Sequence, residues 1–366
     1  MMRGRLLVVS HASVVMVNQL VYARLRELGW DVTLVVPSEW RHAYAEEPIV
    51  PRAASGLEER LLPKRVAFAG EPQRHVYLSR VGATIRALRP AVAFVEEELF
   101  SVAAFQWGRA LAHRAVPFGV QAAENLDRHI PVPARRIRRF VLERASFVAS
   151  RSPAAGDLAR HHGARGEVAL APHAVPRWTP TTSGRNGAFT IGFAGRLVPE
   201  KGIRELVHAT RSLGAGARLL VVGDGPLRAE LEATGAEVVT GLAHDEMPSA
   251  FARMDVLALP SRSTPKWEEQ FGRVLVEALA CGVPVVGSDS GEIPWVIETT
   301  HGGIVVPEGD GDALAGALAS LRDDAERRRD LAETGRRNVE RFFSLDAAAD
   351  ALDGLLVRAL ERSTRD

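Results

Sequence analysis

The sequence predicts an α/β protein made of two doubly wound domains, each a parallel sheet with helices on both faces. Three observations lead there. Apolar, β-rich runs alternate with helical patterns along nearly the whole 366-residue chain. The runs are continuously apolar, as strands buried on both faces are. A single proline-rich, polar stretch interrupts the rhythm near the middle, after which it restarts. A chain of this length is expected to hold two domains of about 150–190 residues.

In the first half, strands are expected at 5–10 (RLLVVS), 31–36 (DVTLVV), 91–95 (AVAFV), 116–121 (VPFGVQ), 147–149 and 168–170. Helical spacing marks 18–28, 75–88 and 152–162 between them. From Pro172 the chain carries Pro176 and Pro180, then Thr-Thr-Ser-Gly-Arg-Asn-Gly at 181–187. Such a stretch buries little and bends readily, so it reads as a linker. The second half gives strands at 190–194, 218–222, 237–239, 255–259, 284–287 and 303–306, with helices at 203–213, 226–233, 245–252 and 273–280. The expected domains are 1–175, a linker at 176–188, 189–344, and an amphipathic helix at 345–366 packing back on the first domain. Two such domains are expected to face a central cleft, since sheets of this kind bind ligands at the carboxyl ends of their strands.

Composition removes several function classes. Lys+Arg 46 against Asp+Glu 45 gives a net charge of +1, too balanced to hold a nucleic-acid backbone. One cysteine, Cys281, excludes a disulfide framework and a multi-cysteine zinc site and fits a reducing compartment. No uncharged apolar run reaches the ~18 residues of a membrane span. The first residues (MMRGRLLVVSHASVVMV) have the basic-then-apolar order of a leader, but Ser10 and His11 interrupt it. Asn18-Gln19 then stand where a small-residue cleavage site belongs. A soluble cytoplasmic protein is expected.

The most informative stretch is 267–294, WEEQFGRVLVEALACGVPVVGSDSGEIP. Phe271-Gly272 ends an irregular loop, and a helix starts at Arg273. Helix N-terminal N–H groups are free to bind anionic oxygens, and Gly272 lets a ligand approach the backbone. Glu269 and Glu277 are separated by seven residues, which places one carboxylate at the loop mouth and the other about two turns away. That suits two clusters of hydroxyls on one ligand with phosphate between them. The blander reading has Glu277 paired with an arginine and Glu269 on the solvated surface. Upstream, Arg196 and Lys201 stand between Gly195 and Gly202 at a strand end, a planar fork of donors beside a mobile point charge. Only three lysines occur, at 64, 201 and 266.

The stretch 269–286 (EQFGRVLVEALACGVPVV) resembles the Glu-x7-Glu signature of retaining glycosyltransferases of the GT-B fold, glycosyltransferase family 4, the glycosyl transferases group 1. The stretch 192–202 (GFAGRLVPEKG) resembles the same family's donor-phosphate segment, and 222–226 (VGDGP) its following strand-turn. The resemblance covers about residues 189–320 and implies two Rossmann-like domains. It also implies roles. Arg196 and Lys201 would bind the donor diphosphate and stabilise the leaving nucleoside diphosphate. Glu269 would hold hydroxyls of the transferred sugar and help stabilise an oxocarbenium-like state, and Glu277 would take the ribose hydroxyls. Backbone around Phe271, Gly272 and Arg273 would face the sugar or distal phosphate. Gly195 and Gly223 would give backbone room, and Gly241-Leu242 would line the nucleobase. The implied reaction is hexosyl transfer, with retention, from a UDP- or GDP-linked sugar to a saccharide, lipid-linked or small-molecule acceptor.

The first half departs from the family pattern. Its first loop reads Ser10-His11-Ala12-Ser13 where a Gly-Gly loop is usual, and Gln121-Ala122-Ala123-Glu124-Asn125 stands where a histidine is usual. His11, Ser13, Glu124 and Asn125 are the acceptor-side candidates. Trp40, His42 and Tyr44 are either acceptor walls or packing. Residues 133–144 (PARRIRRFVLER) form a basic amphipathic helix. It either packs Ile137, Phe140 and Val141 inward with solvated arginines or, through Arg135 to Arg144, touches an anionic membrane at the inner face. Asp310-Gly311-Asp312 matches an Asp-x-Asp metal string but precedes a helical stretch, where an aspartate is more simply an N-cap. With two cations for the diphosphate, neither metal nor cofactor is expected. The rival functions are a sugar-nucleotide epimerase-like isomerase and a non-catalytic sugar-nucleotide binding protein.

Overall fold

The computed structural model describes residues 3–41, 47–178 and 187–363. His42, Tyr44 and most of the expected linker lie outside these. The chain divides into two compact units, Met1–Ala174 with Leu345–Asp366, and Val175–Ser344. Residues 175–178, read above as the domain end and linker, therefore count with the second unit. Val175 donates its N–H to the Phe343 carbonyl at 2.8 Å.

The first unit contains β1 (Gly4–Ser10), β2 (Trp30–Pro37), β3 (Leu61–Lys64), β4 (Val66–Ala67), β5 (Val76–Tyr77), β6 (Val92–Glu96), β7 (Phe118–Ala122), β8 (Phe147–Ser150) and β9 (Glu167–Leu170). Seven of them form a parallel sheet in the order β3-β2-β1-β6-β7-β8-β9. The continuous apolar character of β1 has a direct cause. Leu6 and Val8 point into one core, Leu7 and Val9 into the other, each worth about 1.5–3 kcal/mol when buried. The helix Leu345–Ser363 returns to this unit and adds Ala349, Leu352, Leu355 and Leu356 to the core of Leu6 and Val8. Trp30 Nε1 donates to Asp353 at 2.7 Å, fixing the register of that return.

Four readings of the first unit differ from its structure. The helix read at 75–88 begins only at Val81, because Val76–Tyr77 pair antiparallel with Val66–Ala67. The helix read at 18–28 is Leu20–Glu27, preceded by 3-10 turns. Strand β3 was not expected, since Pro63 interrupts its pattern; it lies at the sheet edge, the one place a strand tolerates proline. The basic helix, Val132–Arg144, buries Arg138 with Val141 and Leu142 rather than leaving every arginine solvated. Its Ile137 and Phe140 pack against the unit's core.

The second unit contains β10 (Phe189–Ala194), β11 (Ala217–Val222), β12 (Glu237–Val239), β13 (Val256–Leu259), β14 (Val285–Ser288) and β15 (Gly303–Val306). They form a parallel sheet in the order β12-β11-β10-β13-β14-β15 around one hydrophobic core. No helix among the described residues is long and apolar enough to cross a membrane.

Candidate functional site

In the second unit, close backbone approaches gather the strand ends. A Cβ on Gly223, at φ +151°, would lie 1.9 Å from the Gly195 carbonyl oxygen, so the turns after β10 and β11 meet only because the side chain is missing. Gly202, at φ +66°, would place a Cβ 1.8 Å from the Pro260 oxygen. That contact docks the Lys201 turn against the chain leaving β13. Lys201 Nζ consequently reaches Glu269 Oε2 at 2.5 Å and lies 5.0 Å from the centre of the Trp267 ring.

Glu269 is 8% exposed and also accepts from Ser261 Oγ at 2.8 Å. Its backbone carbonyl accepts the Glu292 N–H at 2.9 Å. The alternative of a solvated Glu269 is therefore wrong for this fold. A lysine ammonium carries three donors; one is spent on Glu269, which leaves others for an anionic group.

The helix Arg273–Ala280 starts at Gly272 in the left-handed region, φ +72°, with no side-chain cap. The Leu275 N–H closes back on the Gly272 carbonyl at 2.8 Å. About one turn along, Glu277 is buried and pairs with Arg273 Nε and His244 Nε2, both at 2.9 Å. The His244 ring lies 5.0 Å from that of Trp178. The arginine partner expected of Glu277 in the blander reading is thus present, but in a half-buried cluster that also holds a histidine and an indole. Phe271 packs its ring on Trp295 and Phe343, which turns its side chain into the core. Leu242 is half-buried against the core, and Gly241 is exposed. Arg196 is exposed and has no ion-pair partner among the described residues.

The two carboxylates thus sit in separate clusters, Glu269 with Lys201 and Ser261, Glu277 with Arg273 and His244. Ser261, His244 and Trp178 were not singled out in the sequence. Each lies far along the chain from the carboxylate cluster it joins or in a loop of ordinary composition, so no local pattern marks it. Asp310 caps the helix Gly311–Asp323, accepting from the N–H of Asp312 and Ala313, and Asp312 pairs with His208 at 2.8 Å.

The acceptor-side candidates lie in the first unit. Ser13 is fully buried and bonds through its N–H to Ser10 Oγ at 3.1 Å, which makes it part of the turn after β1. His11 is held by Glu97 through both its ring Nδ1 and its backbone N–H. Burial lowers the affinity of that ring for a proton, yet Glu97 and its neighbours outweigh this, and the His11 pKa is raised. Glu97 is itself fully buried; the opposing His11 and His75 overcome its desolvation and hold its pKa down at about 2. Glu124 pairs with Arg128, with Nε at 2.7 Å, while burial pushes its carboxyl upward. Asn125 is half-buried beside it.

Comparison with known proteins finds relatives for the second unit. Residues 188–324 match the family described as Glycosyl transferases group 1. The 2-deoxystreptamine N-acetyl-D-glucosaminyltransferase of Streptomyces fradiae is 33% identical over 180 residues, 46% of this chain and 42% of that protein. A GDP-mannose-dependent alpha-(1-6)-phosphatidylinositol monomannoside mannosyltransferase of Mycobacterium tuberculosis is 35% identical over 46% of this chain and 47% of its own length. The chain spans about half the length of the curated relatives it matches. Anabaena HepE, solved with UDP and glucose, superposes with a TM-score of 0.75 at 17% identity over 97% of this chain and 100% of that one. A sucrose-phosphate synthase of Thermosynechococcus elongatus gives 0.73 at 20% identity over 98% and 99%. The fold is the two-domain GT-B fold, and residues 188–324 of the second unit are similar to the glycosyl transferases group 1.

Proposed function

We propose that the protein is a retaining glycosyltransferase of family 4. In this reading it moves a sugar from a UDP- or GDP-linked donor to a saccharide, lipid-linked or small-molecule acceptor. The observation that carries the reading is the Lys201–Glu269 pair, buried on Ser261 beside an uncapped helix N-terminus. A cation and a carboxylate in one place match a donor's diphosphate and its sugar hydroxyls. The relatives named for GDP-mannose and the neighbour solved with UDP and glucose support that donor class.

In transfer, the bond from the anomeric carbon to the diphosphate oxygen breaks and its electron pair stays with the diphosphate. The acceptor oxygen bonds the anomeric carbon, and its proton passes to the departing phosphate oxygen. Charge grows on the diphosphate in the transition state, where Lys201 and Arg196 offset it. The fixed Glu269 carboxylate holds sugar hydroxyls and faces the developing positive charge on the ring. Glu277, oriented by Arg273 and His244, accepts from the ribose hydroxyls. Gly241 and Leu242 line the base, and Glu124 and Asn125 contact the acceptor. Because the cations are side chains, transfer needs no magnesium or manganese.

A screen of UDP- and GDP-sugars for release of free nucleoside diphosphate, with products read by mass spectrometry, tests the reading. Release coupled to a glycosylated product is expected; donor isomerisation without release would instead reveal an epimerase, and tight binding without turnover a binding protein.

A further inference from the structure

We propose that His11, His75 and Glu97 form a metal site in the first unit, and that zinc(II) is the ion their donors suit. The three residues come from separate segments. His11 follows β1, His75 precedes β5 and Glu97 follows β6. Their ligand atoms nevertheless all lie within 4.8 Å of one another.

The decisive atom is His75 Nε2. His75 is fully buried, and its Nδ1 sits 3.1 Å from the Pro72 carbonyl oxygen. A carbonyl only accepts, so Nδ1 carries the hydrogen, and in the neutral ring Nε2 presents its lone pair. That lone pair has no hydrogen-bond partner and faces Glu97 Oε2 at 3.4 Å. Two electron-rich atoms held face to face in a dry interior repel unless a positive charge stands with them. Donors about 2.0–2.1 Å from one tetrahedral ion are about 3.3 Å apart, close to the His75 Nε2–Glu97 Oε2 spacing, while the direct His11 Nδ1–Glu97 Oε2 contact is one the ion would displace.

The surroundings are those of a metal centre. The Nδ1–H bond to Pro72 fixes the His75 tautomer, as the outer hydrogen bonds of ligating histidines do. Glu97 keeps Oε2 for His11 Nδ1 and His75 Nε2, while Oε1 accepts the His11 backbone N–H at 3.0 Å and faces the Tyr77 hydroxyl at 3.5 Å. Trp40 flanks both imidazoles, its ring 5.0 Å from His11 and 5.1 Å from His75, and screens the cluster from water. Two imidazoles and one carboxylate leave one position of a tetrahedral zinc open for a water molecule. The ion would tie the segment before β5 to the ends of β1 and β6. The alternative occupant is a single proton making His75 an imidazolium.

The test is the zinc content of the full-length chain, expressed without a polyhistidine tag and measured by plasma mass spectrometry after dialysis. Chelator-treated protein is then titrated with zinc chloride. About one zinc per chain, a melting temperature raised by zinc, and loss of binding of tenfold or more in Glu97→Gln and His11→Asn are expected. Where a buried variant does not fold, cobalt(II) bound to the wild-type chain reports the same site through the visible bands of a tetrahedral ion. Absence of stoichiometric zinc together with no binding at micromolar zinc would overturn the proposal and leave the proton as the occupant. Unchanged binding in folded variants would also overturn it. The inference stands on the first unit alone, so neither result bears on the donor reading.

Discussion

Both units collect polar groups at the carboxyl ends of their central strands, but the first closes its cluster and the second leaves its cluster open. In the first, Glu96 accepts from Ser10 Oγ at 2.7 Å and Tyr22 at 2.6 Å and pairs with Arg151. Arg151 in turn donates to Gln121 at 3.0 Å and to the Ala171 carbonyl at 2.9 Å. Ser10, Tyr22 and Gln121 are buried with Glu96 and Arg151, and the donors and acceptors match within the protein. In the second, Arg196 is exposed, Lys201 spends one donor on Glu269, and Gly272 leaves its helix uncapped. One fold thus uses the same position for a closed polar network in one half and, in the reading proposed above, for a ligand in the other. What separates them is whether the polar groups are saturated from within.

The contrast can be broken by mutation, and the largest effect belongs to the open cluster. Lys201→Ala and Glu269→Ala should each lower kcat by at least about 10²–10³-fold, the scale of losing one electrostatic contact in a transition state. Circular dichroism should remain native. Turnover near that of the wild type in either variant would remove the assignment. Glu96→Ala should act on folding instead. It strands a buried guanidinium, which costs about 3–5 kcal/mol, and should appear as a large drop in denaturation midpoint; an unchanged midpoint would mean that the closed cluster is not structural.

Two smaller effects sharpen the comparison. Asp310→Ala should cost about 1 kcal/mol, the worth of an N-cap, and leave transfer unchanged. A loss of activity restored by magnesium or manganese would show instead that the Asp-x-Asp string serves catalysis. Cys281, at the end of the helix carrying Glu277, is pushed up to about 12 by burial and by that carboxylate. An ordinary thiol near 8.5 ionises between pH 7 and 9, whereas Cys281 stays protonated there. Its alkylation in the native state should therefore not accelerate across that range, and should become fast only after unfolding.

The strands and the second-unit motif were legible because each is written locally. Continuous apolar runs mark buried parallel strands, and Gly195, Gly202, Gly223 and Gly272 punctuate the turns that the site needs. Less could be read where the determinants are distant. Glu97 meets His11 across 86 residues and His244 meets Glu277 across 33, and no short pattern announces either pair. The helix Ala325–Phe342 is so rich in charge that its buried stripe reduces to Ala332, Gly335 and Val339, too little for a periodic signal. Strand β3 hid behind its edge proline.

The central claim is that the second unit grips a nucleoside diphosphate through Arg196 and Lys201 and its ribose through Glu277. The crystal structure of the full chain soaked with UDP or GDP tests it most directly. The account predicts diphosphate oxygens on the Lys201 ammonium and the Arg196 guanidinium, with the ribose hydroxyls on the Glu277 carboxylate. A nucleotide bound through other residues, or none at saturating concentration, would contradict it.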